Sequence, residues 1–388
     1  MLSSIYHLIE AHLVNIVGVR VSRPATRGAN AEVGILGLGI FGWQFGEYPS
    51  CCRILRRAID SIISRSGDIL MRWRTVVIFF CQDEYLCAKK EIFIMKNTVF
   101  TGAATAIVTP LNENGIDFEN FRRLIEWQIA SGIDAIVAVG TTGEGSTLND
   151  QEHKDAIKFC VDVVAGRVPV IAGTGSNDIS YAIELTKFSC EVGADAMLLV
   201  TPYYNKATQN GLIKSFEAIA DASTKPCILY NVPSRTGCNL TPQSMQILAK
   251  HPNIVGIKEA SGNLSQIAEL AHLCGDEIDI YSGNDDQIVP IMSLGGSGVI
   301  SVLSNIMPAE TSRMCHAYLE GNVKEATRLQ LDLFPLIKQL FVEVNPIPVK
   351  AAVAKMGYCD NYLRLPLTPM EDKHAEVLYD LMRERNLI

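Results

Sequence analysis

From position 95 onward, short apolar runs rich in β-branched residues alternate with stretches whose apolar positions fall three and four apart. The runs are Phe100–Pro110, Ala135–Gly140, Pro169–Gly175, Ala196–Pro202, Pro226–Asn231, Ile254–Ala260, Ile278–Asp285 and Gly298–Ser304. They predict eight strands, spaced roughly 20 to 35 residues apart with a helix in each gap, which is the count and rhythm of an α/β chain folded as a (β/α)8 TIM barrel. In the first gap, Phe118, Phe121, Leu124, Ile125 and Gln128 follow a helical stripe, and Asp117 can cap its start. Beyond the eighth strand, Ala309–Leu319, Val323–Val342, Ile347–Met356 and Glu371–Arg385 read as helices. The first would close a barrel spanning 95–320, and the others would form a C-terminal helical appendage over 321–388. A doubly wound open sheet would call for a glycine-rich phosphate turn after the first strand, and Thr109-Pro110-Leu111-Asn112 is no such turn.

Upstream of Met95 the rhythm is lost. Residues 1–94 hold nine Arg and two Lys against eight acidic residues, a balance of +3, while 95–388 hold 23 basic against 34 acidic residues, a balance of -11. Gly37, Gly39 and Gly42 fit a G-x-G-x-x-G pattern after the strand-like Val33–Leu36, but a dinucleotide site needs a helix opening there, and Gly46 and Pro49 interrupt it. The acidic residues, among them Glu10, Glu32 and Glu47, oppose a transit peptide, and Met1 to Arg20 lacks the order of a secretory signal. The segment is expected to be an extension outside the functional domain, produced by an over-long translation start, with Met95 as the working N-terminus.

Composition narrows the class. A chain of 388 residues that is 48% hydrophobic and 20% charged suits a globular protein with one large core, and its net charge of -8 argues against nucleic acid as a main partner. The eleven cysteines form no C-x-x-C pair, and Cys51-Cys52, Cys81 and Cys87 match no zinc spacing. They read as reduced thiols of a cytoplasmic protein. The run Thr75–Phe80 is too short for a membrane span, which takes about 18 apolar residues.

In a barrel of this kind, chemistry sits where strands end. Lys258 closes the apolar run Ile254–Ile257, where burial would favour the neutral amine that attacks a ketone to form a Schiff base. A lone lysine there would more simply snorkel to water or pair with Glu259. Its company changes that balance. Gly140-Thr141-Thr142-Gly143 at the second strand end can hold a carboxylate through hydroxyls and amides, and equally describes a tight turn with capping hydroxyls. Tyr204 and Tyr230 end adjacent strands near a candidate amine that needs proton shuttling, and Arg235 beside Tyr230 offers a fork suited to a carboxylate.

Seven stretches in order carry a family resemblance: Gly140–Glu144, Ala172–Ser176, Thr201–Asn205, Tyr230–Gly237, Val255–Gly262, Tyr281–Asp285 and Asn345–Lys350. On these, residues 95–388 resemble the dihydrodipicolinate synthase family of pyruvate-dependent class I aldolases, whereas residues 1–94 match nothing in its pattern. The resemblance implies a lyase of lysine biosynthesis that condenses pyruvate with L-aspartate 4-semialdehyde through a Schiff base on Lys258. Tyr230, Thr141 and Tyr204 would form a proton relay, with Tyr204 reaching across a dimer interface. Thr142 would hold the pyruvate carboxylate, Arg235 the semialdehyde carboxylate, and Gly283 and Ile300 would line the site through main-chain groups. No metal or organic cofactor is implied. The assembly expected is a homotetramer, a dimer of dimers.

Two rivals remain. N-acetylneuraminate lyase and keto-sugar-acid aldolases share the lysine and the Tyr-Asn-x-Pro turn, but Ser234-Arg235-Thr236-Gly237 favours a short substrate bearing a carboxylate. A silent keto-acid-binding barrel would have lost Lys258 or Tyr230, and both are present. For feedback by lysine, His153, Asn177 and Tyr203 match the positions that feedback-inhibited members use. Asp150 stands where a histidine is often found, and Tyr181 where a glutamate would pair with the ligand's amine. Weak lysine inhibition is therefore expected.

Overall fold

The computed structural model describes residues 97–388, together with the backbone of a two-residue antiparallel ladder between Val76–Val77 and Phe93–Ile94. The Gly37–Gly42 motif, the four cysteines at 51, 52, 81 and 87 and the start at Met95 lie outside the described residues.

Eight parallel strands close into a barrel: β1 (Gly102–Ala106), β2 (Ala135–Ala138), β3 (Val170–Gly173), β4 (Ala196–Val200), β5 (Cys227–Asn231), β6 (Ile254–Glu259), β7 (Asp279–Ser282) and β8 (Gly298–Ser301). Each pairs with its successor, and β8 returns to β1 with Gly298 opposite Gly102. Every predicted run contains its strand, and in all but the fifth the last residues of the run leave the ladder to form the mouth loops. The outer helices are α1 (Phe118–Ala130), α2 (Asp150–Val164), α3 (Ile179–Glu191), α4 (Gln209–Ala222), α5 (Pro242–Leu248), α6 (Leu264–Cys274), α7 (Ile288–Met292) and α8 (Pro308–Leu319).

Local chemistry accounts for the helix starts. Asp117 accepts from Asn120 N at 3.0 Å to cap α1, and Asn149 and Glu152 cap α2 reciprocally. Phe121, Leu124, Ile125 and Gln128 are buried as the stripe predicts. Phe118 is 37% exposed instead, because it sits in the first turn at the rim of the helix layer, against Phe159.

Inside the barrel the small side chains of Ala104, Ala106, Ala135 and Ala196 pack with Val137, Ile171 and Ile228. The Tyr281 ring stacks on Phe100, just ahead of β1, and its hydroxyl donates to Phe100 O at 2.8 Å. This fills the barrel interior below the cavity at the mouth.

The chain continues through α9 (Val323–Gln339), α10 (Ile347–Lys355) and α11 (Asp372–Arg383). These form the C-terminal helical appendage, and it is tied to the barrel. Gln330 on α9 donates to Asp285 O at 2.8 Å, and α10 buries Lys350 completely, with its ammonium donating to Thr109 O at 2.7 Å. The linker between α9 and α10 brings Phe341 and Asn345 to the barrel mouth. No helix among the described residues is long and apolar enough to cross a membrane.

Candidate active site

Alternation along β6 turns Lys258 into the barrel and Glu259 away from it. Lys258 pairs in register with Tyr230 on β5 and Tyr281 on β7, and is 5% exposed. Its amine lies 4.4 Å from the centre of the Tyr230 ring. Burial, with a smaller push from the positive charge of Arg235, brings the ammonium from its ordinary 10.5 down to about 7, against an upward pull from Asp285. A large fraction of the amine is therefore neutral near neutral pH. Gly283 makes the close approach possible, since a Cβ there would lie 3.1 Å from both Cγ and Cε of Lys258 and 2.7 Å from the Ala260 Cβ.

Tyr230 is 6% exposed, and burial holds its phenol above the usual range even though Arg235 and a hydrogen bond with Thr141 work the other way. Next to Thr141, Thr142 is buried and accepts from Asn345 Nδ2 at 3.0 Å through its hydroxyl oxygen. The Asn345 carbonyl accepts from Arg235 Nη2 at 3.1 Å, so one residue ties both candidate carboxylate holders together. Lys258, Tyr230, Thr141, Thr142, Arg235 and Gly283 all line one cavity of ≈ 150 Å³. That is space for about five waters, a volume suited to a small keto acid.

The loop carrying the threonines is braced. Val139 and Glu144 adopt φ of 57° and 56°, a left-handed geometry that costs a β-branched residue on the order of 1–3 kcal/mol and persists only where the surroundings enforce it. The bracing comes from the C-terminal chain. Lys350 approaches Glu144 Oε1 at 2.7 Å, with both side chains buried. The same ammonium donates to Thr109 O at 2.7 Å, so it ties the loop to the end of β1 as well. Arg364 adds a backbone N–H to Glu144 at 3.3 Å and a two-pronged grip on Glu152.

Other expected residues fall elsewhere. Tyr204 is 89% exposed with φ 73°, and it does not line the cavity. Ile300 is buried in the barrel interior, and Val302, two residues further on, supplies the cavity wall after β8. Of the lysine-site candidates, Asn177 donates to Tyr203 O at 3.2 Å. His153 is buried and meets Gly173 O at 2.9 Å, and burial lowers its basicity. Asp150 is engaged by Lys154 at 2.8 Å, which holds its carboxyl below the usual range.

Reasoning from sequence did not single out Asn345, Phe341, Val302 or Asp285 as site residues. Asn345 and Asp285 belong to the matched stretches Asn345–Lys350 and Tyr281–Asp285, and that was the signal available for them.

A closed parallel barrel with a buried, weakly basic lysine among polar side chains at its mouth defines this chain as a barrel enzyme. The family model "Dihydrodipicolinate synthetase family" matches residues 99–385, and the chain belongs to that family. A curated relative, 4-hydroxy-tetrahydrodipicolinate synthase of Thermoanaerobacter sp. (strain X514), is 53% identical over 295 residues, which cover 74% of this chain and 99% of the relative. Among solved structures, dihydrodipicolinate synthase from Acinetobacter baumannii complexed with pyruvate is 44% identical with TM-score 0.73, covering 75% of this chain and 100% of that one. The Cyanidioschyzon merolae enzyme with lysine bound is 40% identical with TM-score 0.73, covering 75% and 100%.

Proposed function

We propose that Lys258 carries out, as a Schiff-base amine, the reaction of this family: the joining of pyruvate to L-aspartate 4-semialdehyde to give 4-hydroxy-tetrahydrodipicolinate, on the way to diaminopimelate and lysine. The observation that carries this reading is the position of Lys258, buried inside a cavity lined by Tyr230, Thr141, Thr142 and Arg235, where burial brings its ammonium down to about 7.

The neutral amine attacks the pyruvate ketone, and loss of water leaves an iminium. The methyl carbon then gives up a proton, and its electron pair flows toward nitrogen to form an enamine. That carbon adds to the aldehyde, and the substrate's amino group displaces Lys258 as the ring closes. Tyr230 and Thr141, which line the same cavity, pass the protons. Tyr204, exposed on this protomer, completes the relay in a neighbour's mouth. Thr142, fixed by Asn345, takes the pyruvate carboxylate, and Arg235 takes that of the semialdehyde. Gly283, and Val302 in place of the expected Ile300, shape the wall of the cavity.

The barrel strands lie between Gly102 and Ser301, and the matched family region starts at residue 99, which supports 95–320 as the catalytic barrel, 321–388 as the helices that brace it, and 1–94 as an extension outside it. The working assembly in this reading is a cytoplasmic tetramer of tight dimers, with His153, Asn177 and Tyr203 as what remains of a lysine-responsive site.

The test is a steady-state assay with pyruvate and L-aspartate 4-semialdehyde, product formation being followed through a coupled reductase. Efficient turnover is expected with this pair and none with N-acetylneuraminate. A preference for sugar acids would overturn the reading.

A further inference from the structure

Resting on that Schiff-base reading, a question follows about charge. The lysine becomes a fixed cation when the iminium forms, and few neighbours can answer it. Arg235 adds positive charge and Tyr230 is held neutral by burial. Glu259 turns out of the barrel, where Asn231 Nδ2 meets its Oε2 at 3.1 Å and Ser261 N its Oε1 at 2.7 Å.

Among the described residues, Asp285 is the carboxylate whose charge acts on Lys258. It follows Gly283, whose backbone lies against the Lys258 stem, and is 1% exposed. Its Oδ2 accepts the N–H groups of Val302 at 3.0 Å and Leu303 at 2.8 Å, directly after β8. Its Oδ1 is buried with no hydrogen-bond partner. Burial raises the Asp285 carboxyl above its ordinary range, and the Ser301 hydroxyl, the two backbone donors and the charge of Lys258 work the other way, toward the charged form. On α8, the Cys315 thiol feels the same carboxylate and is pushed well up by burial, so it brings no competing charge. Gln330 fixes the Asp285 main chain from α9.

We propose that Asp285 is the built-in counter-charge of the Lys258 iminium. Two backbone donors pin it two residues after Gly283, against which the Lys258 stem lies, and its second oxygen has no hydrogen-bond partner among the described residues, so its charge acts on the lysine unspent on a local bond. It takes up no proton and touches no substrate. By favouring the cationic imine over the neutral one, it keeps the nitrogen able to accept the electron pair released as the methyl C–H bond breaks, while the proton leaves through Tyr230 and Thr141. Asp285 is thus a positioning residue that acts through Lys258.

Asp285→Asn in the full chain keeps the shape and an acceptor for both N–H groups while removing the charge. With pyruvate alone in D2O, the wild type is expected to exchange the methyl hydrogens. The variant should do so at least about tenfold more slowly at saturating pyruvate, the scale of losing a directed electrostatic contact to a developing charge. The pH midpoint for borohydride trapping of Lys258 should also move down by about one unit, because the neutral amine is favoured once the anion is gone. A structural role alone would lower thermal stability and leave exchange rate and midpoint at wild-type values, which would overturn the proposal.

Should that variant fail to fold, Lys258→Met serves. Without the lysine cation, Asp285 is expected to bind a proton at neutral pH, seen as a new protonated-carboxyl stretch in the infrared difference from wild type, and no such band would overturn the proposal. A wild type that neither traps nor exchanges would overturn the Schiff-base reading itself, and this inference with it.

Discussion

Lys258 and Tyr230, at 5% and 6% exposure, form the floor of the mouth, whereas Tyr204 on its rim is 89% exposed and Thr141 and Arg235 stand open to entering ligands. The floor gains its chemistry from desolvation: burial lowers the basicity of the lysine and raises that of the phenol, so an amine and a phenol that would sit near the same range in water are driven apart. The rim cannot work this way, because a group that must receive a second substrate has to stay reachable. Its residues are placed by hydrogen bonds instead, as Arg235 is by Asn345. Substitution of Lys258, or of Tyr230 and its relay partners, should therefore damage the chemical step, and substitution of Arg235 the use of the semialdehyde.

The largest effect among the groups around the nucleophile is expected for Tyr230→Phe. Losing its proton-transfer role should lower kcat by about 10²–10⁴-fold with thermal stability nearly unchanged, measured by steady-state kinetics beside a melting curve. A variant with wild-type kcat would remove Tyr230 from the relay. Arg235→Ala should cost on the order of 1.5–3 kcal/mol, roughly ten- to a hundredfold in kcat/KM for the semialdehyde, while trapping of pyruvate survives. Because the Arg235 charge pushes the lysine down, its loss should also raise the pH at which trapping begins. If trapping disappears altogether, the division between floor and rim fails.

Smaller effects lie farther out. Millimolar L-lysine is expected to inhibit weakly, since Tyr181 replaces a charged partner, Asp150 is engaged by Lys154, and His153 is turned onto Gly173 O. Half-inhibition at submillimolar lysine in the steady-state assay would contradict this. A chain starting at Met95 should assemble and turn over like the full chain, and a marked loss of activity would make residues 1–94 part of the working enzyme.

The barrel was legible because each strand is a compact apolar run and each mouth residue follows its run within a few positions. Lys258, Tyr230 and Thr141-Thr142 owe their place to strand direction alone. Asn345 could not be placed in that way: its contact with Thr142 joins residues 203 positions apart and depends on how the chain returns after α9. Asp285 was hidden for another reason, since an aspartate after a strand is ordinarily a turn residue, and only the fold sets it against Val302 and Leu303. His153 shows the reverse case, a polar residue on a helix whose orientation toward the barrel follows from the packing of α2.

The most direct test of a desolvated lysine as the nucleophile is borohydride reduction in the presence of pyruvate across a pH series, with peptide mass spectrometry of the product. A pyruvate-derived mass is expected on Lys258, rising with pH through a midpoint near the lysine's value of about 7, because the neutral amine is the attacking form. An adduct on another residue, or a midpoint near that of an ordinary lysine, would contradict the account.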